Sequence, residues 1–305
     1  MWKNFLQKRA DADLSMYDDF SVPSISKQDK QKIVLVEISK GKYTILDKNS
    51  YKGNYYKDMP NRINVIEYYL KKLNLSEINC VIPFYVWDSY GDEFKFPHFC
   101  WAKPHNKNGL LFPTWSFKNW DSVVEEAKNS VVPWKDKETD AYFKGSSKTS
   151  FRSKIRHTMQ KIFPEYIKLD EAYEPWTEMF KHKVLFDIGG LKPWSLRSPL
   201  IALSGSVSFR ILQYYPKWNE DVWIQFYEDP AEIRENALEI TQNYDREFIP
   251  SKEFVDACHE KLDGSLRKWK KAQSIQKRMM ELKEEDIVFY LEYLIKEFAL
   301  RQTSR

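Results

Sequence analysis

The chain has 305 residues, a net charge of +4, 42% hydrophobic residues and 30% charged residues. This length suits one large or two ordinary domains rather than a repeat array or a peptide, and the composition is that of a globular protein with a core. The mild positive charge suits an anionic ligand such as a diphosphate, but it falls short of a nucleic-acid coat. No apolar run approaches the roughly 20 residues that cross a membrane, and the N-terminus lacks the apolar core of a secretory signal. We therefore expect a soluble, cytoplasmic protein.

Cysteine and histidine usage argues against a disulfide framework or a metal site. The three cysteines, Cys80, Cys100 and Cys258, are far apart and odd in number, which fits a reducing compartment. The histidines have neither HExxH nor paired-ligand spacing. Asp11 and Asp13 match the DxD pattern of metal-dependent sugar transferases, but no strand precedes them. We expect no bound metal.

The first half of the chain has the pattern of an α/β domain. Its first thirty residues are polar and predict an arm laid over the surface. Residues 32–38 and 43–46 flank a short turn and predict a strand pair, although the first segment is equally compatible with a helix. An amphipathic helix follows, and residues 80–87 predict a buried strand that ends on Asp88. A helix followed by a buried strand is typical of an α/β fold.

Residues 123–131 predict a helix that ends the first half, and we place the boundary between two α/β halves near residue 135. The second half repeats the pattern. The predicted elements that follow are strands over residues 141–143, 183–188 and 207–212 and helices over residues 195–203 and 229–244. The second of these helices begins with an Asp at its cap and a Pro in its first turn. A long helix with an apolar face ends the chain.

Two strand–turn–helix segments in this second half predict an anion site. In residues 143–152, a strand end runs into a hydroxyl-rich turn and then a helix start beside Arg152, an arrangement that suits anions. In residues 187–197, a buried strand and a glycine turn lead to a helix start that carries Arg197, whose planar fork suits phosphate oxygens. Each segment alone is also compatible with an ordinary capped helix. Together they favour a diphosphate pocket.

Asp88 is the candidate general base of the first half. It follows a buried strand, where a carboxylate can face a cleft. Asp92 and Glu93 are close competitors, and a strand-end aspartate without a catalytic role is common.

Three tryptophans are candidates for an acceptor platform or, equally, for the core: Trp87, Trp101 and Trp115.

Four stretches of the sequence resemble family 90 of the glycosyltransferases, the capsule-associated type that includes protein O-glucosyltransferases. They are residues 43–51, 112–117, 141–152 and 181–207, and their order and spacing agree from about residue 30 to the C-terminus. The resemblance implies an α/β fold of GT-B type, with two facing Rossmann-like domains and a C-terminal helix crossing back. Residues 1–135 would form the acceptor-side domain, and residues 136–305 would bind the nucleotide sugar and carry the terminal crossing helices.

The resemblance also implies the reaction and its residues. It implies an inverting, metal-independent transfer from a UDP-sugar co-substrate to a hydroxyl, without a further cofactor. Asp88 falls on the catalytic aspartate of the family. The positions that match its donor-binding residues are Ser146, Arg152, Lys192, Trp194, Ser195 and Arg197, with Arg197 on the diphosphate.

Departures from the family pattern bear on the substrate. The Gly- and Pro-rich stretch after Trp115 is largely missing, and Lys144 replaces the usual arginine. A shortened, aromatic-rich pocket favours the smaller sugar, so we expect UDP-xylose as donor, with UDP-glucose as the alternative. The chain resembles compact forms of microbes and large DNA viruses that build surface glycans. We therefore expect a glycan or glycoprotein acceptor, in the host cytoplasm if the protein is virus-encoded.

Two interpretations from other classes remain open. The basic run of residues 267–271 contains a tryptophan and is compatible with an RNA-binding protein, although such a run is more often the solvated face of a helix. A degenerate, glycan-binding relative without turnover is the other alternative. The joint presence of Asp88, Arg152 and Arg197 argues against it. We expect no nucleic-acid partner.

Overall fold

The computed structural model describes residues 1–25, 29, 32–46, 59–87, 91–145, 150–164, 167–169, 175–189, 194–214, 222–235, 237–241, 252, 256, 259–260 and 268–303. Contacts divide the chain into two compact units. The first comprises Met1–Lys118, Trp223–Glu228 and Lys283–Arg305, and the second comprises Asn119–Val222 and Asp229–Leu282. The division near residue 135 and the acceptor and donor roles of the two halves stay predictions.

The secondary structure alternates helices and strands along most of the chain. The strands are β1 (Ile33–Ser39), β2 (Lys42–Ile45), β3 (Cys80–Tyr85), β4 (Phe99–Cys100), β5 (Lys103–Pro104), β6 (Leu110–Leu111), β7 (Glu138–Gly145), β8 (Ile167–Leu169), β9 (His182–Ile188), β10 (Val207–Tyr214), β11 (Trp223–Ile224) and β12 (Ala237–Thr241). The α-helices are α1 (Trp2–Leu14), α2 (Met59–Leu70), α3 (Trp120–Ser130), α4 (Ser150–Ile162), α5 (Ser198–Leu203), α6 (Pro230–Glu235), α7 (Trp269–Glu281) and α8 (Glu284–Thr303). Short 3-10 helices span Trp115–Phe117, Trp134–Asp136 and Trp176–Lys181.

A mixed five-stranded sheet is described in the first unit, in the order β2-β1-β3-β4-β6. Strand β1 runs antiparallel to β2 and β3, whereas β3, β4 and β6 are parallel. Ile38 pairs with Tyr43 beside the turn, which confirms the predicted strand pair and shows that its first segment is a strand. The burial of Val34, Val36 and Ile38 at alternate positions explains this, because a strand places every second side chain on one face.

The expectation of an N-terminal surface arm is wrong. Residues Trp2, Leu6, Ala10 and Leu14 are buried, and their spacing of four places them on one face of α1. This face packs against α8. The long terminal helix has the predicted apolar face, and its six core residues are fully buried: Ile287, Tyr290, Leu291, Leu294, Ile295 and Phe298.

The described part of the second unit contains a five-stranded, all-parallel sheet in the order β12-β10-β9-β7-β8. Helix α4 lies between β7 and β8 in the sequence, and α5 lies between β9 and β10. Apolar side chains of the strands pack with Met159 and Phe163 of the α4 region into one core cluster. The predicted mixed α/β class with parallel strands is thus confirmed. All five strands present their carboxyl ends at the same edge of the sheet.

The helix predicted over residues 229–244 is shorter than expected. Its start is confirmed, since the Asp229 carboxylate accepts a hydrogen bond from the Ala231 N–H at 2.8 Å. Helix α6 ends at Glu235, however, and Ala237–Thr241 forms β12, which pairs with β10. Ile240 fits the apolar pattern of the predicted helix and also that of a strand. Pairing with the neighbouring strand β10 determines that this segment is a strand. Tyr244 lies outside the described residues.

The expectations about membrane-spanning segments and about cysteines can be compared with the described residues. No helix in the described ranges is long and apolar enough to cross a bilayer. Cys80 and Cys100 are free and buried, and burial raises the pKa of each thiol to about 12. Both thiols are therefore protonated at neutral pH. Cys258 lies outside the described residues.

Candidate active site

Arg197 lies at the carboxyl edge of the parallel sheet. Its Nη2 donates a hydrogen bond to the carbonyl of Ile188, the last residue of β9, at 3.0 Å. Its guanidinium carbon lies 4.4 Å from the ring centroid of Phe143, near the end of the neighbouring strand β7. A cation over an aromatic face is favourable, so the ring helps to hold the guanidinium in place. Arg197 therefore spans the ends of two adjacent strands, which is where open α/β sheets bind ligands.

Gly145, the last residue of β7, leaves room for this arginine. A Cβ atom at this position would lie 2.8 Å from Arg197 Nη1 and 2.7 Å from Phe143 Cζ. Both approaches are closer than real Cβ contacts, so any larger residue would displace one of the two side chains. A glycine at the strand end thus permits the close approach of the guanidinium.

A buried carboxylate fixes the turn that carries Arg197. Asp187, on β9, accepts hydrogen bonds from Ser195 Oγ at 2.6 Å, from Ser198 Oγ at 2.8 Å and from Arg210 Nε at 3.0 Å. Burial raises the pKa of Asp187, but Arg210, the Ser195 hydroxyl and Arg197 together outweigh burial and hold that pKa below its usual range. The carboxylate therefore stays ionised. It links β9, β10 and the start of α5.

Ser195, which we predicted to contact the donor, also stabilises the turn that carries Arg197. Its hydroxyl donates to Asp187 and also accepts the backbone N–H of Arg197 at 3.2 Å. The side chain therefore shapes the turn from within. Trp194 is only 6% exposed, so its ring is packed into the unit.

A second arginine lies close to this edge. The guanidinium carbon of Arg156, on α4, is 5.3 Å from the ring centroid of Phe143. Arg156 is one turn after Arg152, and residues four apart lie on the same helix face. The side chain of Arg152 lies outside the described residues, as do Ser146, Lys192 and Asp88.

Three guanidinium groups and one carboxylate are described around Phe143 and the β9 end: Arg156, Arg197, Arg210 and Asp187. Sequence reasoning found Arg197 but missed Asp187, Arg210 and Arg156. The helical spacing of Arg152 and Arg156 was the available signal for Arg156.

Trp87 is a partly exposed aromatic residue just beyond β3 in the first unit. It is 38% exposed, and Lys32 Nζ lies 5.5 Å from its ring centroid. The same ammonium lies 2.8 Å from Glu93 Oε1. Burial raises the pKa of Glu93, but the hydrogen bond and charge of Lys32, a backbone hydrogen bond and a hydrogen bond from Asp92 together outweigh burial, so the net pKa is lowered. A lower pKa makes Glu93 a weaker base, which counts against it as a competitor of Asp88.

The other two candidate platform residues differ in exposure. Trp101 is 1% exposed and belongs to the core, so it offers no platform. Trp115 is half-buried, and its ring lies 6.2 Å from that of Trp101 and 5.8 Å from the guanidinium carbon of Arg62. Arg62 also donates a hydrogen bond to the Val86 carbonyl, next to Trp87 in the sequence.

The basic run proposed as an RNA contact makes several contacts within the second unit. The Trp269 ring stacks on Trp134, with 5.9 Å between centroids and 20° between planes. Lys268 donates to the Glu235 carbonyl at 3.2 Å, and Lys271 forms an ion pair with the Glu235 carboxylate. These contacts describe a packed helix start.

The parallel sheet, with Arg197 at the ends of its strands, defines an α/β protein. A comparison with protein families matches residues 7–305 to the family described as glycosyl transferase family 90. The chain belongs to this family over essentially its whole length, and it is a glycosyltransferase, which takes a sugar donor and an acceptor. The resemblance inferred from the four sequence stretches is thereby confirmed. A search of the curated proteins found no match.

Proposed function

We propose that this glycosyltransferase moves xylose from UDP-xylose to a glycan hydroxyl, with inversion and without a metal or other cofactor. The observation that carries the proposal is the placement of Arg197 at the ends of β7 and β9. UDP-glucose is the alternative donor. The two units would correspond to the two Rossmann-like domains of a GT-B enzyme, with the acceptor bound by the first and the donor by the second.

Stabilisation of the leaving group follows from this placement. As the bond to the sugar breaks, the departing UDP gains negative charge on its diphosphate. Arg197 is held by the Ile188 carbonyl and the Phe143 ring, and its turn is held by Asp187. A fixed cation needs no reorganisation when the charge develops, so it lowers the barrier efficiently. Arg152 and Ser146 would add further contacts to the donor.

The base would act on the acceptor side. In the proposed reaction, Asp88 takes the proton of the acceptor hydroxyl while that oxygen bonds to the anomeric carbon and UDP leaves from the opposite face. This single displacement inverts the configuration. The partly exposed ring of Trp87, adjacent in sequence to Asp88, and the half-buried Trp115 offer flat surfaces for an acceptor sugar.

A donor screen in the presence of EDTA tests this proposal. UDP-xylose, UDP-glucose, UDP-galactose and GDP-mannose are each incubated with the protein, and release of free nucleotide is followed. We expect selective release of UDP from UDP-xylose, whereas selective turnover of UDP-glucose would establish the alternative donor. Absence of any turnover, combined with no rise in Tm upon addition of UDP, would contradict the proposal.

Replacing Arg197 with alanine should weaken UDP binding by about 10- to 100-fold, the usual worth of a charge-assisted hydrogen bond. Isothermal titration calorimetry measures this directly. Lys181→Ala is the matched control, because Lys181 is a cation just before the amino end of β9, at the opposite edge of the sheet. This control should bind UDP like the unaltered protein. Unchanged UDP affinity in Arg197→Ala would remove Arg197 from the diphosphate site.

A further inference from the structure

The first unit contains a cleft that the proposed reaction does not use. Its volume is about 630 Å³. One wall is formed by residues 74–79, which lie between α2 and β3, and the other by residues 289–300 on one side of α8. This volume is in the range typical of small-molecule sites, roughly 300–1,000 Å³.

The cleft lies at the amino end of β3. Ile78 and Asn79 line it and directly precede this strand, whereas Trp87 and the proposed base Asp88 follow the carboxyl end. A strand of six residues is about 20 Å long. A ligand in the cleft therefore lies at the opposite end of β3 from Trp87.

Aromatic rings and fixed polar groups line this cleft together. Tyr293 donates its hydroxyl proton to Asp11 Oδ1 at 2.6 Å, which fixes the ring, and Phe289 lies one helical turn earlier on α8. Glu292 accepts the backbone N–H of Asn74 at 2.8 Å. Lys3 Nζ lies 5.4 Å from the Phe289 ring centroid and covers one face of that ring. The Tyr293 ring, which can cover the C–H face of a sugar, combined with carboxylate and amide groups for its hydroxyls, is the chemistry of a carbohydrate site.

Two charged side chains at the cleft are exposed to solvent. Glu77 and Lys296 make no hydrogen bond or ion pair with the residues that the structure describes. With Glu292, the lining holds two carboxylates and one ammonium, so its formal charge is negative. A negative lining repels phosphate groups and favours a neutral ligand. The cleft thus differs in kind from the strand-end site proposed for the diphosphate.

We propose that this cleft is a second carbohydrate-binding site, which holds a neutral segment of the glycan acceptor away from the hydroxyl that receives the sugar. The role in acceptor binding rests on the proposed function, but carbohydrate binding itself does not. A glycan held in the cleft would present its reacting end at a raised effective concentration, without any change in the chemical step.

Ligand-observed saturation-transfer NMR with the full chain tests the proposal. The probes are xylotetraose, cellotetraose and mannotetraose, each titrated to about 10 mM because single sugar sites are weak. At least one should bind, and Tyr293→Ala and Glu77→Ala should each weaken that binding by about tenfold or more. Tyr293→Phe is the matched control: it keeps the ring and should keep most of the affinity. Tm and near-UV circular dichroism report whether each variant is folded.

The outcomes separate this site from the donor site. Binding of a tetrasaccharide that is lost in folded Tyr293→Ala and Glu77→Ala supports the cleft, even if UDP fails to raise Tm and the proposed transfer reaction is wrong. Conversely, UDP binding together with no tetrasaccharide binding overturns the cleft proposal alone. Tetrasaccharide binding that survives both substitutions also overturns it, since the sugar then lies elsewhere.

Discussion

Replacing Asp13 with alanine is expected to lower the free energy of unfolding by about 3–5 kcal/mol, the usual cost of breaking a buried ion pair from one side. The Asp13 carboxylate lies 2.8 Å from Lys103 Nζ, and the two side chains are 2% and 1% exposed. Its second oxygen accepts the backbone N–H of Leu111 at 3.3 Å. Without Asp13, a buried ammonium group loses its counter-charge. Denaturation with urea, followed by circular dichroism, measures the loss.

Asp11→Ala is the matched control, two residues earlier on α1. Asp11 is exposed, and its carboxylate accepts one described hydrogen bond, from the Tyr293 hydroxyl, so its removal should cost no more than about 1 kcal/mol. Because replacing a whole buried pair by apolar residues is often tolerated, the double variant Asp13→Leu/Lys103→Met should regain most of the lost stability. If Asp13→Ala is no more destabilising than Asp11→Ala, the buried pair is not a stabilising element.

The same contacts bear on the DxD pattern. Residues two apart on a helix do not face each other. Asp13 is directed to Lys103 in the interior of the first unit, whereas Asp11 is directed to Tyr293 near the surface. The two carboxylates therefore do not form one pair of metal ligands.

The sequence was most informative where one hydrophobic period continued over a long segment. The apolar face of α8 from Ile287 to Phe298 and the continuous apolar runs of β3 and β9 were all predicted. In each segment, only one type of secondary structure, a helix or a buried strand, places all of the apolar side chains in the core. The parallel pairing of the second sheet also followed, because helices alternate with its strands.

The sequence was least informative where long-range contacts decide the structure. In α1, charged residues separate the buried positions Trp2, Leu6 and Ala10, so local polarity concealed a helical stripe. The Asp187 network joins residues up to 23 positions apart, and no short motif shows that Arg210 on the next strand faces the same carboxylate. Strands of two residues, such as β4, exist only because neighbours pair with them.

Replacing Asp88 with asparagine is expected to reduce transfer by about 10²- to 10⁴-fold, because the amide cannot accept the proton of the acceptor hydroxyl. The affinity for UDP should stay nearly unchanged, because the substitution removes a proton acceptor and does not remove a contact with phosphate. The measurement is sugar transfer to the acceptor at saturating donor, with UDP affinity determined by calorimetry on the same variant. Retention of both full activity and UDP affinity would show that another residue is the base.

Asp92→Asn and Glu93→Gln are the matched controls, because each removes a nearby carboxylate with little change in shape. Glu93 is engaged by Lys32, which lowers its pKa and weakens it as a base. Its removal should therefore leave transfer within about threefold of the starting protein, less than half of one tenfold step in free energy. Asp92 is exposed and should behave similarly. A loss of transfer in Asp92→Asn with activity retained in Asp88→Asn would reassign the base to Asp92, while Arg197 would keep its proposed role at the donor.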